Sequence, residues 1–308
     1  MTVPALPLKR RRPSFSLLPY FLIFPTLLFI VAFTVWPTLS AVIQSTFRLE
    51  GARRVPDFVG LGNYTDLFNP NIDIGQSFPQ VFTNTIVFVA VTVSVSVLLA
   101  FLLALLLNRK IRALAFFRFA FFYPVLMPMI GAASIFAFLY ADQIGLFNVV
   151  LSSLHLGSPK WIGSNISLVS VMIVVIWKQV GFYMIIYLAG LQNLPADVYE
   201  AAKLDGVTWW GEIRHITWPL LSSTTLFVLT AAVANAFQTV DQLYALGQGG
   251  PNDKSNLLLY MIYQRYTDPH NTGYVNAITV ILLVILLLFT VINFAFSERR
   301  VYYASDPD

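Results

Sequence analysis

Charge and cysteine are what this sequence lacks. Of 308 residues only 11% are charged, and there are 0 Cys. An ordinary soluble domain carries about 25% charged residues, because a water-facing surface needs them. Most of this chain's surface is therefore covered by something other than water. Without cysteine, disulfide frameworks, zinc–thiolate sites, iron–sulfur clusters and thiol nucleophiles are excluded, and the redox state of the compartment is left open. Histidine is scarce too: His155, His215 and His270 fall on separate loops without metal-ligand spacing, so no metal site is suggested. The sequence has no Gly-x-x-x-x-Gly-Lys-Ser/Thr phosphate loop, so ATP hydrolysis by that route is absent. Nothing assembles a catalytic triad, and no cofactor or nucleic-acid partner is expected.

Apolar sequence is abundant: 57% of residues are hydrophobic and 15% aromatic, a composition suited to helices packed in lipid with rings at the interfaces. A helix needs about 20 mainly apolar residues to cross a hydrocarbon core of roughly 30 Å. Six stretches qualify: Leu17 to Phe47, Thr83 to Leu107, Phe116 to Tyr140, Ile166 to Leu188, Leu220 to Tyr244 and Val275 to Phe296. The expected fold is thus all-α and polytopic. The first stretch is long enough to tilt or break, and Pro37, which cannot donate to the helix ladder, offers the break. It is also about twice the length of a signal peptide's apolar core, and Pro25 and Pro37 stand where small residues should mark cleavage.

Basic residues concentrate in cytoplasmic segments of membrane proteins. Lys9 to Arg12, the connection Arg109, Lys110, Arg112, and the pair Arg299, Arg300 all fall on one side of a six-span arrangement. Both termini are therefore expected in the cytoplasm of a cell membrane. Residues 1–16 then form a basic tail, 17–296 the membrane domain and 297–308 a second tail. The opposite side holds the segments around Glu50 to Phe82, Asp142 to Asn165 and Asp253 to Thr272, where Val59 to Tyr64 reads as a turn entering a short helix.

Between the fourth and fifth spans, the loop 192–219 contains a helix-start signal. Pro195 suits a first helical turn, and Asp197 with Glu200 three residues later fits a capping box. Ala201, Ala202, Lys203 and Leu204 extend the helix, and Gly206 permits the positive φ that ends it. A helix this short requires a partner surface. A second short amphipathic piece, Trp209 to Ile216, leads into Trp218-Pro219.

Glu200-Ala201-Ala202, three residues, Gly206, nine residues, then Ile216-Thr217-Trp218-Pro219 resembles the EAA motif of permease subunits of binding-protein-dependent ABC importers. The text Ala189 to Pro195, with Lys203-Leu204-Asp205-Gly206, looks like the carbohydrate-uptake, maltose-type branch. Gly247-Gln248-Gly249-Gly250-Pro251 is similar to that branch's Gly-Gly-Pro loop. Trp218 departs from the motif, where Leu usually precedes the Pro; it is still apolar, so altered packing without lost function is expected. The resemblance implies a cytoplasmic coupling helix seated in an ATPase subunit, with Glu200, Ala201, Ala202, Asp205, Gly206 and Pro219 as its coupling residues. It also implies a second homologous permease, two nucleotide-binding ATPase subunits and an extracytoplasmic solute-binding protein. Gly249, Gly250 and Pro251, on a flexible external loop, are the expected contact with that binding protein.

Polar groups inside spans are costly and so are functional candidates. Asn235, Gln238 and Gln242 recur at i, i+3 and i+7 with Asp241 adjacent, one polar face able to meet sugar hydroxyls or to bond neighbouring helices. Lys178, midway along the fourth span, is placed to pair with Asp241, to attract an anion or to snorkel. Tyr183 and Tyr187 offer faces for a sugar ring or for ordinary packing. Pro124, Pro128 and Gly131 give the third span a place to bend. The expected function is a permease subunit passing a sugar or polyol. Glycerol phosphate would favour cations in the pathway, and only Lys178 qualifies. An ion-coupled transporter would need intramembrane carboxylates, and an integral membrane enzyme a cluster of polar groups at one depth; the sequence favours neither.

Overall fold

The computed structural model describes residues 18–49, 55–109 and 112–297. Lys9 to Arg12, Lys110, Arg299 and Arg300, and with them nearly all of both tails, lie outside the described residues. Helix α1 (Leu18–Ile30) passes through a π-helical turn, Val31–Val35, into α2 (Trp36–Gln44). The expected break at Pro37 is therefore a bulge: the ring removes one ladder donor, and the wider turn just before it absorbs the mismatch. Strands β1 (Phe47–Arg48) and β2 (Asp57–Phe58) pair antiparallel, and α3 (Gly62–Asp66) follows the turn at Val59 to Tyr64 as its sequence implies.

The central pair is α4 (Asp73–Leu107) and α8 (Ser167–Gln192). Both are uniformly apolar over most of their length, and they run in the same direction: Ser96 and Gln179 share a cavity wall, while further along both helices Phe101 meets Tyr187 at 5.6 Å between ring centres. Helix α4 starts at Asp73 rather than Thr83, with Pro79 inside it. Between the two lie α5 (Leu114–Leu126), α6 (Met129–Leu139) and α7 (Leu146–Ser153). The expected third span is broken, α6 turning 102° from α5 across Met127 and Pro128. Pro128 has no N–H to continue the ladder and disfavours α geometry in the residue before it, which ends α5. Helix α5 packs so closely on α8 that a Cβ on Gly181 would sit 2.0 Å from the Phe121 carbonyl oxygen. Small residues at such crossings let backbones approach.

After α8 come α9 (Ala196–Leu204), α10 (Trp209–Glu212), a π-helical turn Ile213–Thr217 and α11 (Trp218–Leu220). Helix α12 (Ser222–Gln238) returns antiparallel to α8, bent 71° from the segment ending at Leu220. The expected fifth span to Tyr244 stops at Gln238, because Thr239 is extended and α13 (Asp241–Ala245) is a separate turn. Helices α14 (Leu258–Arg265) and α15 (Thr272–Ser297) complete the chain. Among the described residues four helices are long and apolar enough to cross a membrane, and up to six spans result if each bent pair counts as one. The only strands among the described residues are the two-residue pair, so the fold is all-α.

Two ends follow from these directions. The lower end gathers residues 193–221 with the connection after α4; the upper end gathers residues 45–72, 140–166 and 239–271. Helix α15 begins at the upper end, where Asn276 Nδ2 donates to Gln44 Oε1 at 3.2 Å, and descends past α12, where Asn293 Nδ2 donates to Thr230 Oγ1 at 2.5 Å. Residues 20–37 are exposed throughout, so α1 and most of α2 lie outside the packed core.

Candidate functional site

At the lower end α9 forms where the sequence places a helix, but its start differs. Pro195 is the N-cap residue rather than the first helical one, and no side chain caps the helix, so the Asp197–Glu200 capping box does not form. Pro195 is extended and has no hydroxyl or carboxylate to offer; Asp197 sits in the first turn, where its charge favours the helix dipole. The other end closes as expected. Gly206 adopts φ +69°, its N–H donates to Lys203 O at 3.2 Å, and the Val207 N–H reaches Ala202 O at 3.0 Å. That pair of bonds is a Schellman closure.

Only one face of α9 rests on the bundle. Ala202 is buried, and Tyr199 is half-buried with its hydroxyl 3.1 Å from Thr217 Oγ1. Burial pushes the Tyr199 phenol up, its bond with Thr217 pulls it down, and Glu212 adds to the rise. Glu200, Ala201 and Asp205 are exposed, and Leu204 is 90% exposed with Trp210 at 69%. An open cleft of about 480 Å³ beside α9 is lined by Glu200, Lys203, Arg109 and Trp209 among others, with the Arg109 guanidinium 5.7 Å from the Trp209 ring centre. Trp218 meets Phe101 edge-on at 5.0 Å, so the residue that departs from the motif packs against α4. Pro219 is exposed beside it.

The membrane-interior candidates separate. Asn235 Nδ2 donates to the Tyr183 hydroxyl at 3.3 Å, and the two line a cavity with Thr92, Ser96 and Gln179. That cavity is about 10 Å³, room for one water molecule, whereas small-molecule sites run to about 300–1,000 Å³. Gln238 and Asp241 are exposed on the outside of the chain. Gln242 does not share their face: the break at Thr239 turns it inward, where it is fully buried and its Oε1 accepts from Thr239 Oγ1 at 2.9 Å. Lys178 does not pair with Asp241. Its Nζ donates to the Val125 carbonyl at 3.2 Å, a group that the break between α5 and α6 frees from the helix ladder. Tyr187 is buried against Phe101, as ordinary packing.

The Gly-Gly-Pro loop is pinned rather than loose. Gly249 is buried at φ +86°, and a Cβ there would lie 2.9 Å from that of Asn256. The Ser255 N–H donates to Gly249 O, and Asn256 Nδ2 donates to Asp253 Oδ1 and Gln264 Oε1. Residues that sequence reasoning missed tie this loop to α4. Asn84 Nδ2 donates to Asp253 O at 2.6 Å and to Asn256 O at 3.3 Å, while Thr85 Oγ1 accepts the Leu258 N–H at 2.9 Å. The available signal was Gln80 and Asn84 at i and i+4, two amides on one helical face leading into the apolar run of α4.

Comparison with known proteins agrees with this arrangement. Residues 96–302 match the family described as the binding-protein-dependent transport system inner membrane component. The arabinooligosaccharides transport system permease protein of Bacillus subtilis is 31% identical over 91% of this chain and 88% of its own length. The sn-glycerol-3-phosphate transport system permease protein of Agrobacterium fabrum is 30% identical, covering 94% of this chain and 97% of that protein. A chain from the crystal structure of a bacterial alginate ABC transporter, in complex with an alginate pentasaccharide-bound periplasmic protein, shares the fold with a TM-score of 0.79 at 19% identity, covering 92% of this chain and 94% of that one. The chain belongs to the binding-protein-dependent inner membrane permeases of ABC importers.

Proposed function

We propose that this permease carries a sugar or related polyol, and that α9 couples it to a cytoplasmic ATPase subunit through Glu200, Ala201, Ala202, Asp205, Gly206 and Pro219. The observation that carries the coupling role is the outer face of α9: a nine-residue helix that leaves Leu204 90% exposed beside Glu200. A helix this short draws its stability from packing, and an apolar side chain bared beside a carboxylate suits a groove on another subunit. In this reading the lower end, both tails and the loop 192–219 face the cytoplasm, and residues 17–296 form the membrane domain. The working assembly adds a second homologous permease, two ATPase subunits and an extracytoplasmic solute-binding protein that meets Gly249, Gly250 and Pro251.

The pathway then runs along the outside of this chain, between it and the second permease. The one-water cavity at Asn235 and Tyr183 is too small for a solute, while Gln238 and Asp241 are open to a neighbour. Amide and carboxylate groups there suit sugar hydroxyls. Lys178, spent on the Val125 carbonyl, gives little support to an anionic solute, although relatives that are glycerol-3-phosphate permeases keep the polyol ester as a second reading. ATP closes the ATPase pair, α9 carries that motion to α8 and α12, the pathway opens toward the loaded binding protein, and hydrolysis resets it.

The test is Glu200→Lys and Gly206→Asp in the assembled transporter. Both should abolish uptake and the co-purification of the ATPase while membrane insertion persists; uptake at the parent rate by both variants would refute the coupling role.

A further inference from the structure

Helix α14 and its C-cap residue carry Tyr260, Tyr263 and Tyr266 at three-residue spacing, so the rings lie along one face. Tyr244 of α13 closes the group. Its ring meets Tyr260 at 5.3 Å and 89° and Tyr263 at 5.3 Å and 74°. Tyr260 and Tyr263 stack at 6.1 Å and 23°, and Tyr263 and Tyr266 follow at 5.7 Å. Tyr260 is buried, but Tyr263 is 48% and Tyr266 58% exposed. A firm inner layer thus supports two open ring faces.

The support is fixed from behind. Gln264 bonds Asn256 and the Gln248 carbonyl, and Arg265 forms an ion pair with Asp73 at 2.7 Å. Asp241 lies three residues before Tyr244 on α13, a spacing that puts the two on one side of the turn. Its exposed carboxylate makes no hydrogen bond or ion pair among the described residues. Rings that merely anchor a protein at the lipid interface stand with their hydroxyls toward headgroups. A joined layer of four rings edged by an uncompensated carboxylate is costly against lipid and suits a polar, water-borne ligand with apolar faces. A pyranose or furanose ring has both: C–H faces for the aromatic rings and hydroxyls for the phenols and carboxylate.

We propose that Tyr244, Tyr260, Tyr263 and Tyr266, edged by Asp241, form a stacking subsite for a sugar ring at the upper mouth of the pathway. This rests on the reading of the chain as a sugar permease. It goes beyond that reading by assigning the first contact after release from the binding protein to aromatic faces that lie above Asn235 and Gln238. Because α14 is clamped before a ligand arrives, ordering it adds no cost at binding.

The experiment reconstitutes the whole transporter in proteoliposomes with its binding protein and follows uptake of maltose, an arabinan oligosaccharide and glycerol 3-phosphate, together with ATP hydrolysis. Removing both exposed faces, in the double variant Tyr263→Ala with Tyr266→Ala, should lower saccharide uptake per ATP about tenfold and the thermal midpoint only slightly, with binding-protein-stimulated hydrolysis unchanged. The corresponding Phe pair keeps the faces and should recover most of the uptake. Parent-level uptake by the Ala pair overturns the subsite. So does a Phe pair as impaired as the Ala pair, or a fall in hydrolysis as large as the fall in uptake, which would mark a structural role. If the unaltered transporter hydrolyses ATP but imports only glycerol 3-phosphate, the sugar reading itself fails, and the subsite with it.

Discussion

The two ends of the molecule hold their connecting segments in opposite ways. At the lower end α9 touches the bundle through Tyr199 and Ala202 and turns Glu200, Ala201 and Leu204 outward. At the upper end the loop after α13 is bonded to itself, to α14 and to α4 through Asn84, Thr85, Asn256 and Gln264. The lower segment leaves a face exposed, Leu204 included, whereas the upper one is held by bonds within the chain. Under the proposed roles, a transporter driven from one side would gain from this asymmetry: the element proposed to receive force is free to follow a partner, and the element proposed to receive the solute keeps its shape.

A matched pair of substitutions breaks the comparison most sharply. Gly206 and Gly249 both have positive φ, at +69° and +86°, so Ala at either position carries a similar backbone penalty of about 1–2 kcal/mol. Around Gly206 an added Cβ meets nothing within 4 Å, but at Gly249 it meets Asn256 Cβ at 2.9 Å. Gly249→Ala should therefore lose about 1–3 kcal/mol more than Gly206→Ala, read as a lower thermal midpoint of the purified protein. Equal midpoints would mean that the upper loop gives way as readily as the lower.

Asn84→Ala attacks the same contrast from the helix side. The carbonyls of Asp253 and Asn256 lose their shared donor in a buried setting, a cost of about 1–3 kcal/mol. The midpoint should fall, and hydrolysis stimulated by the binding protein should fall with it, because the loop proposed to meet that protein loses its seat. Glu200→Lys should do the reverse, ending hydrolysis without moving the midpoint. If Asn84→Ala leaves both readouts at parent values, the bonds from α4 contribute nothing to the loop's shape.

The same contrast explains what could be read from the sequence. The lower loop was legible because its signals are local: Glu200 to Gly206 spans two helical turns, and the Schellman closure lies within six residues, Ala202 to Val207. Its capping box failed because Pro195, rather than an oxygen-bearing side chain, holds the cap position. The upper loop was misread as flexible because Asn84 finds its partners 169 and 172 residues away. Four long helices were legible from apolar run length, which carries no information on direction within the run. The bend of the third span was legible instead from Pro124, Pro128 and Gly131, though not its 102° size, while the stop at Thr239 escaped and took Gln242 off the face of Asn235 and Gln238. Lys178 looked like half of an ion pair, but its partner is a backbone carbonyl, which side-chain chemistry alone does not announce.

The smallest expected effect tests whether the lower end is as tolerant as its sparse packing implies. Trp218 stands where the family motif usually has Leu, and its ring meets Phe101 at 5.0 Å and 87° while remaining 44% exposed. An edge-to-face pair contributes about 0.5–1.5 kcal/mol beyond buried area, and partial exposure puts this one toward the lower figure. Leu keeps an apolar contact with Phe101, and Pro219 still follows to set the turn into α12. Trp218→Leu should thus shift the thermal midpoint slightly and leave uptake and ATP hydrolysis at parent levels. A large loss of uptake with an unchanged midpoint would instead show that the Phe101–Trp218 contact transmits motion from the loop to α4, making the lower end more tightly engaged with the bundle than the exposed face of α9 suggests.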